Sequence, residues 1–229
     1  DPNVPMKDSG IEWLGEVPEH WEVLPIKYIV STPVTDGPHE TPEILDEGVP
    51  FISAESIKGG KIDFELKRGF ISIEDDLRYS KKYKPMMNDI YVIKSGATTG
   101  NSAMVETDIE FNIWSPLAVI RCNKVIADPH FVFLYVNSNE FITAIQLFWS
   151  FGTQQNIGMN IIENLQVPLP PISEQINICK GSKMELERIE ALQNIIADSI
   201  SLLREYRSSL IHHAVTGKID LRGYDAQAQ

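Results

Sequence analysis

At 229 residues the chain has room for one sizeable domain with an extension or for two small ones, and its 43% hydrophobic content suits a folded protein. A formal net charge of −12 speaks against sequence-independent nucleic-acid binding, and two cysteines, Cys122 and Cys179, are too few for a disulfide framework or a zinc site. No apolar run approaches the roughly 20 residues of a membrane span and no stretch has a signal-peptide layout, so a reducing cytoplasm and no membrane association are expected.

The charge is unevenly spread. Residues 1–55 hold 12 acids against Lys7 and Lys27, whereas residues 56–84 hold eight basic residues against five acids. Phosphate contact is therefore expected from that second stretch, at Arg78, Lys81, Lys82 and Lys84. The competing reading is a solvated face of mixed charge.

In chain order, residues 9–24 open with a turn, and Trp13, Leu14, Val17 and Trp21 can pin the segment to a core. Residues 33–42, with Pro33, Gly37, Pro38 and Pro42, predict a loop. Val49–Ile52 predicts a short strand, and Ile57–Ile62 with its K-G-G-K centre predicts a hairpin. Further strands are expected at Phe64–Phe70, Asp89–Ile93, Ser102–Val105 and Leu117–Arg121, with a glycine-bounded loop at Lys94–Gly100. Asp128 is placed to cap a helix that begins at Pro129, and Asn137-Ser138-Asn139 splits residues 130–149 into two helices. Gly152–Gly158 predicts a polar loop and Gln166–Leu169 a strand closed by Pro170-Pro171. Mixed short strands and helices make residues 1–171 an α+β (mixed α/β) globular domain.

Residues 172–214 predict one long helix, capped by Ser173 and followed by a tail, 215–229. Ile189, Leu192, Ile196, Leu203, Tyr206 and Leu210 alternate in 3–4 spacing, with Ser199 as a polar slot. That is a coiled-coil seam, and a lone helix of roughly 60 Å needs a partner helix to cover it.

No residue pattern supports catalysis. Ser95-Gly96-Ala97-Thr98-Thr99-Gly100 lacks the G-K-[ST] of a nucleotide-binding loop. Lys94, Thr98, Thr99 and Asn101 fit either DNA-backbone contact or a tight turn. None of the five histidines has metal-ligand spacing. Nucleophile-elbow and methyltransferase signatures are missing, so the chain is expected to be non-catalytic by itself. Gln154, Gln155 and Asn156, beside Thr153, can bond an adenine edge or cap a turn. The loop with His39 and Thr41 offers the same two readings.

Four ordered blocks carry a resemblance. S-G-I-E-W-L-G-E-V-P-E-H-W-E-V at 9–23 resembles the opening of the specificity (S) subunit of type I restriction–modification enzymes. D-G-P-H-E-T-P and G-V-P-F-I-S-A-E-S-I-K-G-G-K-I-D-F resemble the first half of its target recognition domain. S-G-A-T-T-G and G-T-Q-Q-N-I-G-M-N-I-I-E-N-L-Q-V-P-L-P-P-I-S-E-Q are similar to that domain's end and the entry to its spacer helix. L-I-H-H-A-V-T-G-K-I-D-L-R resembles the helix exit.

The resemblance implies a subunit that reads double-stranded DNA within a restriction–modification complex. Methyltransferase (M) and restriction/translocase (R) subunits are its implied partners. S-adenosylmethionine, ATP and Mg2+ are expected only on those partners, with no cofactor in this chain. Such subunits carry two recognition domains and two helices. This sequence shows one of each, so a half-length subunit that forms a homodimer through the long helix is expected. Two readings compete with this one. In the first, an inhibitory or truncated half-subunit mimics DNA or blocks docking. In the second, the chain is the recognition part of a single-chain restriction enzyme.

Overall fold

The apolar runs Ile90–Ile93 and Leu117–Ile120 lie side by side as antiparallel strands, with Val92 opposite Ala118. Ser102–Met104 extends this sheet on one edge and Thr35–Asp36 on the other, again antiparallel. Side chains alternate along a strand, and here both faces are buried. Ile90, Val92, Met104, Ala118 and Ile120 join one core, and Tyr91, Ile93, Ala103, Leu117 and Val119 join another. Burial on both faces explains why these strands read as continuous apolar runs. The computed structural model describes residues 3–148, 150–151 and 155–219. The chain divides into two units, Asp1–Cys179 and Lys180–Gln229.

Helix α1 spans Ile73–Ser80 and packs Tyr79 on Phe51 and Ile71. Helices α2 (Pro129–Val136), α3 (Asn139–Leu147) and α4 (Met159–Asn164) cover the first face. Phe131, Val132 and Val136 of α2, Phe141 and Ile145 of α3 and Ile162 of α4 are buried there. The second face packs on a smaller sheet in which Val49–Ile52 runs parallel to Asn112–Ile113 and antiparallel to Gly69–Ile71. A further ribbon pairs Glu22–Pro25 with Gln166–Leu169. Trp13, Leu14 and Trp21 pack on the first core, and Val17 is buried.

Local chemistry sets the element ends. Asp128 accepts from the N–H groups of His130 and Phe131 and Pro129 opens α2, as expected of an N-cap followed by proline. Ser138 accepts from Phe141 N–H, which starts α3 where the Asn-Ser-Asn break was expected. Ser72 caps α1, whose first turn holds Glu74, Asp75 and Asp76 at the positive end of the helix dipole. Gly59 and Gly60 take φ of +55° and +80°, the primed turn that joins Ile57–Lys58 to Lys61–Ile62.

Four expectations need correction. Phe64–Phe70 is not one strand: Phe64–Leu66 forms a 3-10 turn capped by Asp63, and the strand starts at Gly69. Residues 33–42 are not all loop, because Thr35–Asp36 pairs with Leu117–Ile120, a piece too short to show periodicity. Gly152–Gly158 is not all loop either, since Gln155–Asn156 pairs with Ser150–Phe151. Ser173 is not a cap: helix α5 spans Ile172–Val215, and the Pro171 carbonyl accepts from Glu174 and Gln175 N–H.

Helix α5 would measure about 66 Å over its 44 residues. Its first turn is tied into the first unit. Gln175, fully buried, accepts from Asp128 N–H and donates to the Ile126 and Pro170 carbonyls. Glu174 meets the His20 ring at 2.9 Å and accepts from the Trp21 indole at 3.2 Å. At the far end Lys218 N–H reaches His213 O, Gly217 N–H reaches Ala214 O and Gly217 has φ +70°, a Schellman stop.

Candidate functional site

Three of the loops singled out in the sequence converge on one buried carboxylate. Asp36 is 5% exposed. Its Oδ1 accepts from Lys82 Nζ at 2.5 Å, and its Oδ2 lies 3.0 Å from both Lys94 Nζ and His39 Nε2. Lys82 also donates to the Gly37 carbonyl at 3.2 Å. Burial pushes the Asp36 carboxyl up, but the hydrogen bonds and charges of Lys82 and Lys94 outweigh it and hold the group below its ordinary range.

Backbone contacts fix the geometry. A Cβ on Gly37 would stand 2.2 Å from the Ile113 carbonyl oxygen, so only glycine lets the 35–41 loop lie against that strand. Lys94 N–H donates to Pro116 O, and Lys94 O accepts from Ile157 N–H. Ser95 bridges Asn156, which joins the 94–101 turn to the 155–156 strand. The turn is tight: Gly96 and Gly100 take φ of +108° and +95°, and Thr99 Oγ1 donates to Gly96 O at 2.6 Å.

The other expected contacts separate from this cluster. Arg78 pairs with Glu40 at 2.9 Å and with Asp75, and its guanidinium lies over the Tyr79 ring. Lys84 pairs with Glu110. Lys81 is exposed and has no ion pair among the described residues. Thr41, Thr98, Asn101 and Asn156 are exposed, Thr99 is buried in its own turn, and Gln155 sits in the strand opposite Phe151. Gln154 lies outside the described residues.

On α5 the six seam residues are all exposed, from Leu210 at 37% to Leu203 at 65%. Leu186, Ile195, Ile200 and Leu202 are exposed beside them. The apolar stripe is therefore wider than a two-helix seam requires.

Among the described residues no group of His, Cys, Asp and Glu could hold a metal ion, and no helix is long and apolar enough to cross a membrane. Burial, with Asp128 nearby, pushes the Cys122 thiol up to about 12 and the Cys179 thiol up to about 11, so neither is a thiolate at neutral pH.

Residues 18–197 match the type I restriction modification DNA specificity domain family. The chain belongs to that family. The type I restriction enzyme EcoBI specificity subunit of Escherichia coli is 25% identical over 205 residues, covering 89% of this chain and 43% of that protein. The putative type I restriction enzyme MjaX specificity subunit of Methanocaldococcus jannaschii is 26% identical over 212 residues, 91% of this chain and 46% of that one. The specificity-domain fold is also that of the HsdS subunit from Thermoanaerobacter tengcongensis, with a TM-score of 0.61 at 19% identity. That match covers 91% of this chain and 52% of the other. The chain spans about half the length of the relatives it matches.

Two features of this specificity domain have no signal in the sequence. Asp36, in the D-G-P-H-E-T loop, is an acid where phosphate contact points to basic residues, so nothing in the sequence marks it. Gln175 is one amide in a long amphipathic helix and carries no sign in the sequence that it is buried.

Proposed function

We propose that this specificity domain reads one half of a bipartite DNA site and that α5 pairs with a second helix to set the distance between the halves. The observation that carries the reading is the convergence of the 35–41, 78–84 and 94–101 segments around Asp36, with Asn156 bridged to Ser95 beside them. Two lysines and a histidine are gathered there in a chain of net charge −12. Polar loops beside a local positive cluster suit base-edge contact alongside phosphate contact. His39, Thr41, Lys81, Lys82, Lys94, Thr98, Thr99, Asn101, Gln154, Gln155 and Asn156 are the residues from which we expect DNA contact, with Arg78 and Lys84 held in acid pairs.

The chain performs no chemistry itself. Methyltransferase subunits dock on the helix, and the restriction/translocase subunit joins them; S-adenosylmethionine, ATP and Mg2+ belong to those partners. The exposed a and d rows suit a second copy of α5, and the apolar flanks at Leu186, Ile195, Ile200 and Leu202 suit additional helices from a partner. A homodimer has two-fold symmetry, so its target is an interrupted palindrome.

Methylation mapping tests this. The chain is expressed with its methyltransferase subunit and modified adenines are located by long-read sequencing. An interrupted palindrome that vanishes without this chain is expected. A non-palindromic bipartite motif would replace the homodimer with a pair of different halves. No motif, despite co-purification, would overturn the reading.

A further inference from the structure

We propose that Asp36, with Lys94 beside it in the buried base of the cluster, is a positioning residue that aims Lys82 and His39 at a single DNA backbone phosphate. The inference rests on the DNA-reading function above and names the chemistry of one part of that site.

A carboxylate looks wrong at a phosphate-binding position, but the local charges and donors resolve the difficulty. Asp36 supplies one negative charge against two lysines, so the cluster keeps a net positive charge. Both carboxylate oxygens are occupied, Oδ1 by Lys82 and Oδ2 by Lys94 and His39. An ammonium has three donors. Lys82 directs one to Asp36 and one to the Gly37 carbonyl, which leaves one for an incoming oxygen. The Lys82 side chain is 48% exposed and that of His39 70%, whereas Lys94 is 12% exposed and Asp36 6%. The acid and Lys94 thus form the buried base of the cluster, and Lys82 and His39 form its open side.

Fixing a flexible lysine before the ligand arrives lowers the ordering cost of contact. The same base anchors the segments expected to reach base edges. Lys94 is bonded through its backbone to the 155–157 strand, and Ser95 next to it bridges Asn156. A phosphate held at Lys82 would therefore set the register of DNA against those loops. Neighbouring cations differ: Arg78 and Lys84 face acids one to one or in acidic excess, which leaves no surplus positive charge.

The test uses the full chain in complex with its methyltransferase partner and a duplex carrying the mapped motif. Binding is measured over a salt series, and again with single neutral methylphosphonates placed along the backbone. Wild-type complex should lose affinity at one particular phosphate. Lys82→Gln should lower the slope of log K against log salt by about 0.9, the value for one lost phosphate contact, and should no longer respond to that methylphosphonate. Lys82→Arg should restore the slope. Asp36→Asn should weaken the response to the same phosphate. Should Asp36→Asn fail to fold, Lys82→Gln and His39→Gln carry the test, since both side chains are largely exposed. Specific wild-type binding with an unchanged slope and unchanged methylphosphonate response in Lys82→Gln overturns the inference and leaves the proposed function standing. Wild-type complex without any motif preference overturns both.

Discussion

Arg121 grips Asp89 through two N–H···O contacts of 2.7 Å, Nε to Oδ1 and Nη2 to Oδ2, with the Asp89 residue only 1% exposed. Tyr83 donates to the same carboxylate at 2.6 Å and meets the Tyr91 hydroxyl at 3.0 Å. Met86 N–H adds another donor, and Arg121 also reaches the Lys84 carbonyl. Burial raises the Tyr83 and Tyr91 phenols well above their ordinary values, so both keep their protons. This network closes one end of the paired strands Ile90–Ile93 and Leu117–Ile120. Arg121→Leu leaves a buried carboxylate without its cation, and a stability loss of about 3–5 kcal/mol is expected in urea unfolding. A loss below about 1 kcal/mol would show the pair to be dispensable.

Gln175→Leu removes one acceptor and two donors from backbone groups around the root of α5. Each buried group left unpaired costs about 1–3 kcal/mol. Hydrogen exchange should accelerate at Asp128 and through the first turn of α5 before it changes in the central sheet. Uniform protection across both regions would contradict the assignment.

Gly37→Ala places a methyl group 2.2 Å from the Ile113 carbonyl oxygen. Backbone must move, so the melting temperature should fall by several degrees and DNA binding should weaken through displacement of Asp36. An unchanged melting curve would mean the loop stands further from that strand than described.

Helix pairing is tested on the seam. Ile196→Asp puts a charge in the middle of the apolar row and should abolish self-association in sedimentation. Ser199→Leu fills the polar slot and should tighten it by about 1 kcal/mol or more. If Ile196→Asp associates as the wild type does, pairing uses another face.

Acid stability follows from Asp36. Its folded pKa is lowered, so its contribution is complete above the ordinary value of 3.8 and is lost as pH falls through the folded value. Asp36→Asn should therefore flatten the acid limb of the stability curve while leaving its slope at neutral pH unchanged. At the alkaline end the sign reverses. Cys122, pushed up to about 12 from 9.0, stays protonated when folded, so stability falls as pH rises above 9.0, where the unfolded thiol ionises. Slow alkylation of both cysteines at pH 8 is the accompanying expectation.

Sequence reading succeeded where the physics is local. Asp128 and Ser138 cap helices through N–H groups two or three residues away, and Gly59-Gly60 makes its turn alone. It failed where a distant partner decides the outcome. The stretch F-E-L-K-R-G-F alternates like a strand, but Val49–Phe51 pairs only with Gly69–Ile71, and the Leu66 carbonyl accepts from Ser56 Oγ instead of a ladder partner. Thr35–Asp36 becomes a strand only because Leu117–Ile120 lies beside it. The candidate site shows the same division. Its loops were visible as glycine-bounded polar segments. Their meeting at Asp36 was not, because no spacing in the chain encodes that His39, Lys82 and Lys94 share a carboxylate.

The ribbon of Glu22–Pro25 with Gln166–Leu169 has a further consequence. Leu169 stands opposite Glu22, and Glu174 holds His20 and Trp21, so everything between these points is a loop of chain whose two ends touch. Such a segment behaves as a cassette. Replacing residues 26–165 with another insert of the same end-to-end distance would keep Glu174 on His20 and Trp21, provided the insert supplies Gln175 with the N–H and carbonyl that Asp128 and Ile126 now give it.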